Sequence, residues 1–259
     1  MPKSQRHIIL PDTQVKPGVK LDHLRWAGLY IAAKRPDRVI HIGDHYDMES
    51  LSSYDKGKKS FEGRRYQKDI DAGNKGLDLL MEPIYEEKER CLREGIEWDL
   101  TLDFAKGNHE YRCDRVMDLQ PEFFGFIGDK DFTFAKHGFR CHPFLKVFNL
   151  DGVAYAHYFT SGVMGRPVTS ARALLTKKHT SCIMGHVQRY EVAIDYDANG
   201  RRITGLFAGC YYQHTEEYLN PQGNAATWHG IHVLYGVRNG EYTHNAVELS
   251  YLRDRFTGK

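Results

Sequence analysis

The sequence predicts a mixed α/β (α+β) fold of two packed, mixed β-sheets flanked by helices. Three observations carry that expectation. The first half of the 259-residue chain alternates short apolar runs with segments of helical periodicity, and the second half is mainly strand-like. Most of the early strand-like runs end in a polar turn bearing Gly, Asp or Asn. No repeat, low-complexity tract or linker divides the chain, so residues 1–259 read as one domain.

Residues 7–10 read as a first strand, ending in Pro11-Asp12-Thr13-Gln14. Leu21, Leu24, Ala27, Gly28 and Ile31 recur at helical spacing, which predicts an amphipathic helix to about residue 35. Residues 38–42 form a second strand that runs into Gly43-Asp44-His45-Tyr46-Asp47. Strands joined through a helix are parallel neighbours, so Asp12 and Asp44 are expected at one edge of one sheet. In residues 48–65, Lys56, Lys58, Lys59, Arg64 and Arg65 interleave with Tyr54 and Phe61. That stretch is either a solvated loop or an arm that meets phosphates and stacks on bases.

A long helical pattern spans 66–93, with Ile70, Leu77, Ile84 and Cys91 seven apart, and Pro83 is expected to kink or split it. Residues 98–105 form a third strand. It leads into Gly107-Asn108-His109-Glu110 and a short helix over 110–119. Gly107 permits a sharp turn, and the helix start offers unpaired N–H groups to an anion. Beyond Pro121, strands are expected at 132–135, 144–150 and 152–159, the last carrying His157. A helix over 168–178 follows Gly165-Arg166-Pro167, and a strand over 180–184 ends in Gly185-His186-Val187-Gln188. Strands at 191–196 and 202–208 flank the Asn199-Gly200 hairpin turn, and 231–236 and 242–249 complete the set.

Composition bounds the function. A net charge of +2 makes no general case for a polyanionic partner, so any such argument must rest on local clusters. No run of 18 apolar residues offers a membrane span. The first residues carry no signal-peptide core. Five cysteines, odd in number and without a Cys-x-x-Cys pair, suggest reduced thiols and a cytoplasmic protein. Oligomeric state has no signature.

Five polar turns each follow a predicted strand: Asp12-Thr13-Gln14, Gly43-Asp44, Gly107-Asn108-His109-Glu110, His157, and Gly185-His186-Val187-Gln188. Carboxylate, amide and imidazole side chains suit divalent metals, and a carboxylate between two ions can bridge them. Blander readings stand beside this one. Asp12 and Asp44 could cap helices, and His157 could be a satisfied core histidine.

In order, strand context and spacing, Gly-Asp, Gly-Asn-His-Glu and the late Gly-His resemble the calcineurin-like metallophosphoesterases over about residues 7–210. The resemblance implies an αββα sandwich and two divalent metal ions that clamp a phosphoester. It makes Asp44 the bridge, places Asn108, His157 and His186 on the second metal, and gives Asp12 to the first. His109 takes the place of the general acid toward the leaving oxygen, or of the group that stabilises the transition-state charge.

This chain departs from the family pattern twice. Gln14 and Gln188 stand where histidines of the first metal are usual. Either they ligate through amide oxygens or they act through water. An all-oxygen first site favours Mn2+, with Mg2+ or Ca2+ beside it, over Zn2+ or Fe, and it should be the weaker of the two. Arg112, His45, Arg166, Lys58, Arg64 and Arg65 are candidate substrate contacts, with Arg112 also readable as a surface ion pair. The expected activity is phosphodiester hydrolysis, extending to a nuclease acting on nucleic acid. The alternatives are a phosphomonoesterase, including a protein phosphatase, and a non-catalytic metal-bound scaffold.

Overall fold

In the computed structural model, residues 5–53, 56–216 and 219–258 are described; Tyr54 of the basic–aromatic loop lies outside them. The chain runs through β1 (Gln5–Leu10), α1 (Asp22–Lys34), β2 (Arg38–His41), α2 (Tyr66–Arg93), β3 (Thr101–Ala105) and α3 (Arg112–Leu119). It continues through β4 (Phe139–His142), β5 (Phe148–Leu150), β6 (Val153–Tyr155), α4 (Ala171–Lys178), β7 (Cys182–Met184), β8 (Tyr190–Tyr196) and β9 (Arg202–Ala208). The short α5 (Pro221–Ala225), β10 (Gly230–Arg238), β11 (Glu241–Glu248) and α6 (Leu249–Thr257) complete it.

Two mixed sheets result. One has the order β11-β10-β1-β2-β3-β4 and the other β5-β6-β7-β9-β8. In the first, β1 through β4 are parallel and β10 and β11 antiparallel; in the second, β6, β7 and β9 are parallel.

Strand periodicity sorts side chains into layers. Ile9, Ile40 and Leu234 of the first sheet meet Tyr155, Ile183 and Leu206 of the second in a shared core. Their neighbours Ile8, Leu10 and Val39 point the other way, onto Leu24 and Ile31 of α1 and Leu77, Leu80 and Ile84 of α2. On the far side, Ala154, Cys182, Met184 and Phe207 pack against Ala171 and Leu174 of α4. The fold is therefore helices, sheet, sheet, helix. Each fully buried Ile or Leu contributes about 1.5–3 kcal/mol by leaving water.

Several expectations need correction. Residues 132–135 form no strand. Phe132 and Phe134 instead anchor a turn: Phe132 packs at a tilt against Tyr46 (4.4 Å) and Phe134 stacks on Phe104 (3.6 Å). The alternation that suggested a strand comes from two buried aromatic anchors. Pro83 does not split α2, which runs unbroken through 28 residues. Gly28 of α1 lies where that helix passes; a Cβ there would sit 2.2 Å from the Leu80 carbonyl oxygen. Strand β4 and helices α5 and α6 were not foreseen. All five cysteines are free, and Cys141 alone is exposed. No described helix is long and apolar enough to cross a membrane.

Candidate metal centre

The parallel strands bring their carboxyl ends to one edge, where ligand-binding groups gather in open α/β sheets. Asp44 follows β2 and His109 follows β3. His157 follows β6 and His186 follows β7, so both sheets contribute. The turns are welded together. Thr13 and Gln14 donate their N–H groups to the Asp44 carbonyl (3.1 and 2.8 Å), and Tyr211 donates to the Asp12 carbonyl (2.7 Å). Gln14, Asp44, His186 and Gln188 all adopt positive φ, at 38°, 51°, 65° and 61°. Non-glycine residues rarely hold this left-handed conformation unless their surroundings enforce it.

Glycines supply the closeness. A Cβ on Gly107 would lie 2.1 Å from Asp44 Oδ1, and one on Gly185 would lie 2.3 Å from Asp12 Oδ1.

Four expected ligands converge. Asp44, His157 and His186 place ligand atoms within 4.8 Å of one another. Asn108 Oδ1 lies 2.9 Å from His157 Nε2 and 2.8 Å from His186 Nδ1, and Asp44 Oδ2 lies 3.3 Å from His157 Nε2. His157 Nδ1 faces the Ile42 carbonyl at 2.8 Å, so that nitrogen carries the proton. Its Nε2 then presents a lone pair to two oxygens. Acceptors facing one another this closely need a cation or an added proton between them. Burial opposes protonation of this ring, but Asp44 outweighs burial and pushes the His157 pKa up to about 9. For Asp44 itself, burial is outweighed by His109 and His157, which hold its carboxyl well below the usual range. The donor set therefore fits a divalent cation.

Asp12 is fully buried, and both its oxygens accept from the His186 N–H (3.1 and 3.0 Å). Burial, with the Asp44 charge added, pushes its pKa up to about 7. A neighbouring cation would reverse that shift. Gln14 and Gln188 line the cleft beside Asp44, and Gln188 Oε1 accepts the Tyr212 hydroxyl at 3.0 Å.

His109 borders the centre, its Nε2 3.8 Å from Asp44 Oδ2. Its Nδ1 donates to Asp47 Oδ1 at 2.7 Å. Burial would lower its pKa, but Asp44 and Asp47 raise it. Arg112 donates to the Asp47 and Met48 carbonyls (2.7 and 3.2 Å) and places Nη2 3.3 Å from His109 Nε2. It lines the cleft and is no peripheral surface pair.

A cleft of about 680 Å³ opens over these groups, and Lys58 and Arg64 line it as well. Other candidates sit elsewhere. His45 is fully buried, with Nδ1 2.7 Å from Thr13 Oγ1 and Nε2 2.9 Å from the Gly73 carbonyl, so both nitrogens serve the fold and not a substrate. The exposed Arg166 does not line the cleft, and Arg65 lines an adjoining one.

Two features escaped the sequence reading. Glu110, wholly buried, accepts four backbone N–H groups: Asp44 (3.1 Å), His45 (2.6 Å), Tyr46 (2.9 Å) and Gly107 (2.9 Å). It locks the bridging turn to the Gly-Asn-His-Glu turn, and its only sequence signal is its place after His109. Lys16 meets Asp47 and Glu49 at 3.3 Å each and Glu216 at 2.7 Å. Lys16 and Glu216 are 200 residues apart, and no local pattern links them.

No protein-family profile matches the chain. The Gene 54 protein of Mycobacterium phage L5 is 25% identical over 242 residues, covering 87% of this chain and 86% of that one. A solved structure aligned over 95% of this chain and all of its own length has a TM-score of 0.41 and 10% identity, a likeness too distant to carry an argument.

Proposed function

We propose that this chain is a metal-dependent phosphoester hydrolase of the calcineurin-like kind, acting on phosphodiesters. The observation that carries the reading is the convergence of Asp44 Oδ2, Asn108 Oδ1, His157 Nε2 and His186 Nδ1 beside the His109–Asp47 pair. Divalent cations held there would supply Lewis acidity toward a phosphoryl oxygen and toward water. Asp44 and the second-metal set would hold the tighter ion. Asp12, Gln14 and Gln188 would hold a weaker, oxygen-ligated one, with Mn2+ the best match.

The chain's own residues do the rest. Asp47 fixes the proton on His109 Nδ1 and favours the imidazolium, so His109 can give a proton to the departing oxygen. Arg112, beside His109 Nε2, is placed to steady the growing negative charge. An open cleft with Lys58 and Arg64 on its wall suits an extended diester better than a compact dianion.

Comparing bis-aryl phosphate with aryl phosphate hydrolysis under Mn2+ tests this. Preference for the diester is expected, and preference for the monoester makes the protein a phosphomonoesterase. Cleavage of neither, with His109→Ala without effect on any measured property, leaves a binding scaffold.

A further inference from the structure

Two clefts meet at Lys16, and a third adjoins the second at His214 and Thr215. The first, about 680 Å³, holds the metal centre. The second, about 490 Å³, shares Lys16, Glu49 and Arg64 with it. The third, about 640 Å³, shares His214 and Thr215 with the second and reaches Lys20, Trp26 and Arg253.

Cations recur along this path: Lys58, Arg64 and Arg112, then Arg65 and Lys68, then Lys20 and Arg253. Acids share the walls. Glu49 and Glu216 pair with Lys16, and Asp22, Glu62 and Asp69 also border the second and third clefts. Asp69 is occupied by the Ser50 N–H at 2.9 Å, and Arg253 keeps Asp254 at 2.9 Å. At the far end the half-buried Trp26 packs partly on the helix-side core and partly borders the cleft.

We propose that this path binds a single-stranded nucleic acid. Its reactive phosphate lies at the metal centre, and its chain runs past Lys16 to a base held against Trp26. The proposal rests on the phosphodiesterase reading above. A regularly charged chain needs cations spaced along a groove, whereas a small phosphoester fills the first cleft alone. An indole takes the face of a base, and that face is free only in an unpaired strand.

The test is fluorescence anisotropy of labelled oligothymidylates of about 4 and about 20 nucleotides, a range that brackets common single-strand site sizes. The full chain is used in EDTA, so nothing is cleaved, over a series of salt concentrations. The longer oligomer should bind at least about tenfold more tightly, with log K falling by about 0.7 per log unit of salt for each phosphate contacted. Replacing Lys20 and Arg253 together with alanine should flatten that slope by about 1.4. Trp26→Ala should weaken the longer oligomer roughly 5- to 150-fold and leave the shorter one unchanged. Because Trp26 also packs on the core, the Lys20/Arg253 variant is the control that leaves the core intact.

Equal affinity for both lengths, or unchanged binding of the longer one by the Lys20/Arg253 variant, overturns the proposal. So does equal competition by duplex DNA or polyglutamate. Bis-aryl phosphate hydrolysis is measured in parallel. Cleavage without length dependence removes only the path, and length dependence without cleavage removes only the phosphodiesterase reading.

Discussion

Glu110→Gln tests how the centre is held together. Glu110 Oε1 takes the N–H groups of His45 and Tyr46, and Oε2 takes those of Asp44 and Gly107. Glutamine keeps one acceptor oxygen and turns an NH2 group toward the other two donors. Two buried N–H groups are then orphaned, at about 1–3 kcal/mol each, so the loss is about 2–6 kcal/mol. That is a large part of the roughly 5–15 kcal/mol that holds a typical domain folded. For a chain this long, 1 kcal/mol corresponds to about 2–4 °C, so Tm should fall by roughly 4–24 °C. Metal affinity should drop about 10- to 100-fold, because the Asp44 backbone loses its anchor. Calorimetric melting of metal-free protein and isothermal titration with Mn2+ give both numbers. A Tm within about 1 °C of the parent, with unchanged Mn2+ affinity, would refute the claim that this carboxylate shapes the bridging turn.

His109→Ala should lower kcat for a diester about 10²- to 10⁴-fold yet keep Mn2+ affinity, because the N–H that it donates to Asp44 Oδ1 (2.9 Å) belongs to the backbone. In Mn2+ titrations, Asp12→Asn should weaken only the second, weaker binding event, and Asp44→Asn both; two equal tight zinc sites in the parent would contradict the assignment. Burial holds His7 at about 4, and His23 and His232 at about 3, below the ordinary 6.5. These rings fold neutral, so between those values and pH 6.5 the unfolded chain binds more protons. Their contribution is therefore complete above 6.5 and is lost as the pH falls toward 4 and 3. Each ring adds up to roughly 1.4 kcal/mol per pH unit, and urea midpoints that do not fall between about pH 7 and about pH 5 would count against this.

Much of the centre was legible because a polar turn after an apolar run marks a strand end, and parallel strands share an edge. Asp12, Asp44, Asn108 and His186 stood out for that reason. His45 misled because Asp44 and Asp47 on either side of it line the cleft while its own ring turns into the core, onto Thr13 and the Gly73 carbonyl. Arg166 misled because proximity in sequence to a turn does not bring a side chain to the cleft, and this one is exposed away from it. Lys16 and Glu216 were invisible because their pairing is purely tertiary. Strand β4 escaped because only Phe139 of its four residues is buried, so it carries no alternation. Helix α6 escaped because Leu252 alone among its residues is buried.

The ligands of one ion would come from both sheets: Asp44 from the first, His157 and His186 from the second. A bound cation is thus a rivet through the sandwich, and the spacing between its slabs becomes part of the coordination geometry. Chelation should let the slabs breathe, and a volume change at Ile40 or Ile183, neither a ligand, should register first as lost metal.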